Sequence, residues 1–162
     1  MDKNDMLKES VFSLIGDRWM LVAATDKSGR TNAMTASWGG MGVLWGKKVA
    51  FVFIRPQRYT KRFVDEAAKF TLSFFDDSYK NMLGYMGKVS GKDEDKIAKS
   101  GLTVTDRNGA PVFKEASLTL VCRKTYRDTL KEENLIDKSI IEKWYPQKDY
   151  HDVYVAEIVE EL

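Results

Sequence analysis

Three short segments of this chain hold side chains whose types and spacing could do chemistry. The first, Asn32-Ala33-Met34-Thr35-Ala36-Ser37-Trp38-Gly39-Gly40, gathers small and hydroxyl residues where a packing strand would carry bulky ones. Small side chains let a ligand approach the backbone. A flat heteroaromatic ring could lie there, bonded to main-chain N–H groups, Thr35 and Ser37, with Trp38 as an apolar wall. A plain strand beside a glycine turn is the competing reading. The second, Arg55-Pro56-Gln57-Arg58-Tyr59-Thr60, brings two guanidinium groups, a phenol and a hydroxyl to the point where an apolar run gives way to a helix. Free N–H groups and the helix dipole favour an anion at such a place, and an arginine fork matches phosphate oxygens. A solvated basic turn is the alternative. The third, Gly87-Lys88-Val89-Ser90-Gly91-Lys92-Asp93-Glu94-Asp95-Lys96, could set Ser90 and Lys92 against an anion as a helix begins at Asp93. Its glycine spacing matches neither a Walker loop nor a dinucleotide fingerprint, and charge-rich loops are usually just exposed.

Together these segments suit a planar ring carrying a phosphate tail, which describes FMN. What the chain lacks points the same way. With one histidine, His151, and one cysteine, Cys122, it is short of the residues that zinc sites, Cys-His pairs and Ser-His-Asp triads require. A bound cofactor would then carry the difficult chemical step. Lys and Arg number 26 against 24 Asp and Glu, so no global field exists for gripping nucleic acid or an anionic membrane. A nucleic-acid module would have to rest on Arg55, Arg58, Lys61 and Arg62 with Tyr59 and Trp45 as stacking platforms, and it would be colourless and salt-sensitive in binding. The lone cysteine leaves no internal disulfide, and the opening Met1-Asp2-Lys3-Asn4-Asp5 is too polar for a secretory signal, so a cytoplasmic location is expected. The longest apolar run, Val49 to Ile54, is far short of the roughly 20 residues of a membrane-spanning helix.

The elements that must position these residues follow from periodicity. At 162 residues, without a Pro/Gly-rich linker or repeat, one domain covering residues 1–162 is expected. Trp19 to Thr25 and Thr31 to Trp38 flank the turn cluster Asp26-Lys27-Ser28-Gly29 and read as a hairpin. Val49 to Ile54 predicts a central strand buried on both faces. Tyr59, Phe63, Val64 and Ala67 fall at helical spacing, and Phe70, Leu72 and Phe74 alternate with Thr71 and Ser73 as in a half-buried strand. A helix is expected over Ser78 to Met86, a small edge hairpin around Asn108-Gly109, a strand over Ala116 to Tyr126, a helical piece near Ile136 to Trp144, and a last strand over Val153 to Val159. Hairpins and short helices, rather than regular strand-helix alternation, favour a closed antiparallel barrel with peripheral helices over a doubly wound parallel sheet.

Asn32 to Trp38, Arg55 to Thr60, Ser90 to Lys96 and Asp149-Tyr150-His151 closely resemble, in order and spacing, the landmarks of the flavin reductase and flavoredoxin family. The likeness spans nearly the whole chain. It implies a mainly β fold with peripheral helices, an FMN-binding split β-barrel, usually a homodimer with flavin at the subunit interface. By position it implies that Met34, Thr35, Ala36, Ser37 and Trp38 line the isoalloxazine, with Asn32 also among the cofactor-binding residues. Arg55, Arg58, Tyr59 and Thr60, with Ser90 and Lys92, would surround the ribityl phosphate, and Gln57 would border ring or tail. His151 would contact flavin or nicotinamide, or simply anchor the barrel's end, the commoner role for a lone histidine. The chain departs from many relatives at Met86 and Val89, where Cys and His are frequent, and at Ala156, where Gly is common. The resemblance implies an oxidoreductase in which NADH or NADPH reduces FMN for a small-molecule or protein acceptor. The alternative is a non-catalytic electron carrier serving protein partners.

Overall fold

The computed structural model describes residues Met1–Leu162. Its strands are β1 (Met20–Thr25), β2 (Thr31–Ala36), β3 (Gly39–Leu44), β4 (Lys47–Ile54), β5 (Lys69–Phe74), β6 (Val104–Arg107), β7 (Ala110–Phe113), β8 (Leu118–Thr129) and β9 (Asp152–Glu161). Its helices are α1 (Lys3–Lys8), α2 (Thr60–Glu66), α3 (Lys80–Lys88), α4 (Lys96–Ser100) and α5 (Ser139–Trp144), with a single π-type turn at Phe12–Asp17. Seven strands make one antiparallel sheet in the order β2-β1-β5-β8-β9-β4-β3, and β6-β7 form a separate hairpin.

The closed barrel expected from the sequence is corrected by this order. The outermost strands, β2 and β3, are neighbours in the chain and share no ladder, so the barrel is split between them. Ser37 and Trp38 bridge the split. β3 itself escapes periodicity because Gly39, Gly40 and Gly42 dilute it. It exists because Trp45 and Gly46, at φ 52° and 69°, turn tightly enough to pair it with β4. The helix start expected at Asp93 is also displaced. Asp93 and Glu94 bond back to the Ser90 carbonyl, and Asp95 caps α4 by accepting from the Ala98 N–H at 3.1 Å.

Two clusters lie on opposite faces of β1. Met20, Val22 and Ala24 point into the barrel with Val52, Ile54, Phe63, Phe70, Leu72 and Tyr154. Leu21 and Ala23 point outward into a second cluster with Ala33, Phe75, Leu83, Met86 and Phe113. The outer face is buried because α3 and the β6-β7 hairpin cover it. The same cover corrects the expectation for β5, whose Thr71 and Ser73 are fully buried rather than solvated. Thr71 Oγ1 donates to the Pro111 carbonyl at 2.7 Å, and the Ser73 and Thr119 hydroxyls are 3.3 Å apart, so each polar group is satisfied. β4 is interior in the sheet, yet Phe51 and Phe53 are only half-buried, against the expected burial on both faces. Phe51 faces the glycines of β3 and Phe53 faces His151. No helix is long and apolar enough to cross a membrane.

Candidate functional site

The small-residue segment ends β2 at the split, and Met34, Thr35, Ala36, Ser37 and Trp38 line a shallow cavity of about 180 Å³ with Phe53, Arg55, Arg58 and His151. Ser37 and the half-exposed Trp38 edge are the polar and aromatic parts of its rim. Thr35 is less available than its sequence suggests. Its hydroxyl donates to the Leu83 carbonyl at 2.6 Å, which ties β2 to α3. Trp38 meets the Trp144 ring edge-on at 5.0 Å and stands 5.4 Å from the His151 ring.

Arg58 leaves this cavity and enters two more. One, about 190 Å³, is lined by Gln57, Arg58, Tyr59, Thr60, Ser90 and Lys96, among others. The other, about 710 Å³, adds Lys27, Lys61, Arg62 and Lys92, and is also lined by the carboxylates Asp65 and Glu66. The Arg58 guanidinium makes no side-chain hydrogen bond and no ion pair, and burial alone lowers its pKa. A half-buried cation without a partner is costly in a folded protein. Lys96, which sequence reasoning did not assign, sits beside it. Its side chain is buried, and Nζ donates to the Met86 and Val89 carbonyls at 2.9 and 2.8 Å. Burial and then Arg58 push its pKa down to about 8. Two cations thus converge on one small cavity without an anion. The dipole of α2 adds little, since that helix spans only Thr60–Glu66 and its first turn has no side-chain cap.

The surrounding residues hold these groups in place. The buried Asn32 is not at the ring cavity. Its Nδ2 donates to Thr60 Oγ1 at 2.9 Å, leaving that hydroxyl's own proton free for another acceptor. Gly91 is required here, because a Cβ at that position would overlap the Asn32 amide. Arg30 donates to the Gly91 carbonyl at 3.1 Å and, with Arg62, reaches the Tyr59 hydroxyl, so the phenol is held between two guanidiniums. Ser90 Oγ accepts from the Lys92 N–H at 3.2 Å, and the Lys92 ammonium is exposed at the cavity rim.

Arg55 and Gln57 are drawn elsewhere. Arg55 pairs with Asp149 at 2.9 Å, donates to the Trp144 carbonyl at 2.9 Å and lies over the Tyr145 ring, while Gln57 donates to Asp149 at 2.7 Å. The hydrogen bond from Gln57, helped by the nearby Arg55, holds the Asp149 carboxyl below its usual range. Arg55 therefore borders the ring cavity rather than joining Arg58 and Lys96. His151 is 6% exposed, its Nδ1 is 2.6 Å from the Tyr145 hydroxyl, and burial followed by Arg55 lowers its pKa to about 4. It is neutral at physiological pH. Phe53, Tyr145 and Lys96 are the residues that sequence reasoning missed. Only Lys96 carried a signal, and its acidic neighbours Asp93, Glu94 and Asp95 made it look solvated.

A split antiparallel barrel with a small aromatic-lined cleft beside a cationic pocket defines a class of ligand-binding domain. The comparisons name it. Residues 12–160 match the family model described as flavin reductase like domain, and the chain belongs to that family. Among solved structures it is similar to the flavoredoxin from Methanosarcina acetivorans, at 26% identity and a TM-score of 0.68, covering 90% of this chain and 67% of that one. It is also similar to an FMN-binding protein from Thermus thermophilus with bound 1-cyclohex-2-enone, at 20% identity and a TM-score of 0.69, covering 89% and 68%. A putative flavin reductase with split barrel domain from Shewanella frigidimarina aligns over 99% of this chain and 77% of its own, with a TM-score of 0.70 and 18% identity. No match was found among curated protein sequences.

Proposed function

We propose that this protein is an FMN-dependent oxidoreductase that takes reducing equivalents from NADH or NADPH and delivers them to a small-molecule or protein acceptor. The observation that carries the reading is the pair Arg58 and Lys96, two poorly compensated cations at the junction of the cavities. A phosphate would satisfy both and would also accept from the Thr60 and Ser90 hydroxyls and from Tyr59 and Lys92 at the rim. Met34, Ala36, Ser37, Trp38, Phe53 and His151 would border the ring, and Asn32 would act through Thr60. The residues thus fit FMN at both ends. When bound, FMN supplies hydride and single-electron chemistry, so the protein needs no triad of its own.

The chain's part is to hold, orient and shield. Trp38 and Phe53 exclude water from one side of the cleft, while Arg58 and Lys96 anchor the tail. On the far side of Trp38 lies an apolar recess of about 680 Å³ formed by Val11, Phe12, Ile15, Gly16 and the start of β3. It is large enough to admit a nicotinamide or a flat acceptor without a nucleotide-binding fingerprint. At about 180 Å³ the ring cavity is smaller than the roughly 300 Å³ at which small-molecule sites begin. One copy therefore covers only part of a flat ring, which supports a homodimer whose second copy completes the site.

Anaerobic mixing of the flavin-loaded protein with NADH and with NADPH tests the reaction. Bleaching of the flavin band within the turnover time is expected with at least one nucleotide. Flavin inert to both, yet reduced by a reduced electron-transfer protein, would favour a carrier instead. The similarity to flavoredoxin at 26% identity supports that second reading.

A further inference from the structure

We propose that Tyr145 is a positioning residue for His151: its hydroxyl, 2.6 Å from Nδ1, fixes the imidazole as the tautomer protonated at Nε2 and so keeps a hydrogen-bond donor in the ring cavity. This rests on the flavin reading above and adds to it the residue that sets the donor. A neutral imidazole has one donor and one acceptor nitrogen, and a phenol donates better than it accepts. With Nδ1 accepting from Tyr145, Nε2 carries the proton and is the nitrogen left for the cavity that His151 lines.

The cage around the pair leaves little freedom. The His151 ring is walled by Trp38, by Phe53 edge-on at 6.4 Å and by Tyr145 edge-on at 5.5 Å. Its carbonyl accepts from the Leu130 N–H at 3.0 Å. Tyr145 is itself 5% exposed, packs on Tyr150 at 4.8 Å and lies under Arg55. The charged groups acting on the imidazole are Arg55 and Asp149, and Arg58 lines the same cavity. Arg55 opposes a second proton on the ring, and burial opposes it more strongly. A donor in the cavity favours an electron-rich ring, so it stabilises bound flavin and raises its midpoint potential.

His151 is the chain's single histidine, so nitrogen-15 NMR reads its tautomer without assignment. In wild-type protein, with and without flavin, Nδ1 should give the unprotonated signature and Nε2 the protonated one. In Tyr145→Phe both tautomers should appear. FMN dissociation constants should then be measured for wild type, Y145F, His151→Gln and the double variant, because the Gln amide keeps an N–H donor that needs no tautomer control. Y145F should weaken FMN about fivefold and lower its potential, and it should have no further effect in the H151Q background. Unchanged tautomer and affinity in Y145F would overturn the proposal, and so would an equal loss in both backgrounds, which marks packing alone. Wild-type protein that binds no FMN would sink the functional reading instead. The NMR arm would still decide whether Tyr145 sets the tautomer.

Discussion

Arg55 and Arg58 are three residues apart and have opposite fates. Arg55 is spent on Asp149 and the Trp144 carbonyl, whereas Arg58 faces Lys96 without a counter-ion. Arg58→Gln should therefore weaken FMN by roughly 30-fold, about 2 kcal/mol for a charge-assisted contact, while leaving thermal stability of the flavin-free protein unchanged or slightly raised. Arg55→Gln should show the reverse. It strands the half-buried Asp149 and lowers stability by about 1–3 kcal/mol, read from urea unfolding. Lys96 sets a pH dependence. Its pKa, near 8 in the chain alone, must rise when a phosphate binds, so FMN affinity should fall as pH climbs above 8, and isothermal titration at several pH values would detect this. The sequence carried both arginines as equal phosphate ligands, since nothing local reveals that Asp149, distant in the chain, claims one of them.

At the scale of elements, local turn chemistry was readable and long-range cover was not. The Asn108-Gly109 turn and the β1-β2 hairpin follow from their residues alone, and both form. β5 instead depends on what packs upon it. Its Thr71 alternates as if exposed, yet it bonds the Pro111 carbonyl of a hairpin some forty residues later. Thr71→Val should cost about 1–2 kcal/mol by leaving that carbonyl unpaired, measured as a shift in the unfolding midpoint. The loop between α3 and α4 is shaped by Gly91 against Asn32. Gly91→Ala should displace Asn32, release Thr60 and reduce FMN affinity at least tenfold while the barrel stays folded by circular dichroism. β3, too rich in glycine to show a period, was illegible for the complementary reason: its pairing with β4, rather than its own side chains, makes it a strand.

For the whole molecule, His151 couples the site to stability. The folded state holds it neutral down to about pH 4, whereas its ordinary pKa is 6.5. Between these values the unfolded chain takes up a proton that the folded chain refuses. Stability present above pH 6.5 is thus lost as pH falls to about 4, by up to about 3 kcal/mol, and no further below that. The stability difference between wild type and H151Q, followed by urea unfolding across that window, should change by this amount. Assembly belongs to the same scale. Phe12, Val43 and Trp45 stand 89%, 76% and 58% exposed around the split and β3, an apolar surface that a second copy would cover. Sedimentation of the purified protein should give twice the monomer mass of 18.5 kDa. An antiparallel barrel was legible in outline, because hairpins and short helices restrict the architecture, but that it is split was implied only by the family resemblance. The place of the split was not legible, since it depends on two strands failing to pair. The central claim, a flavin held between the split and the Arg58–Lys96 pocket, is tested most directly by the absorbance spectrum of freshly purified protein with mass identification of any released chromophore. Yellow protein that releases FMN is the expected result. Colourless protein that also fails to bind added FMN would contradict the account and leave Arg58 and Lys96 as an anion site of another kind.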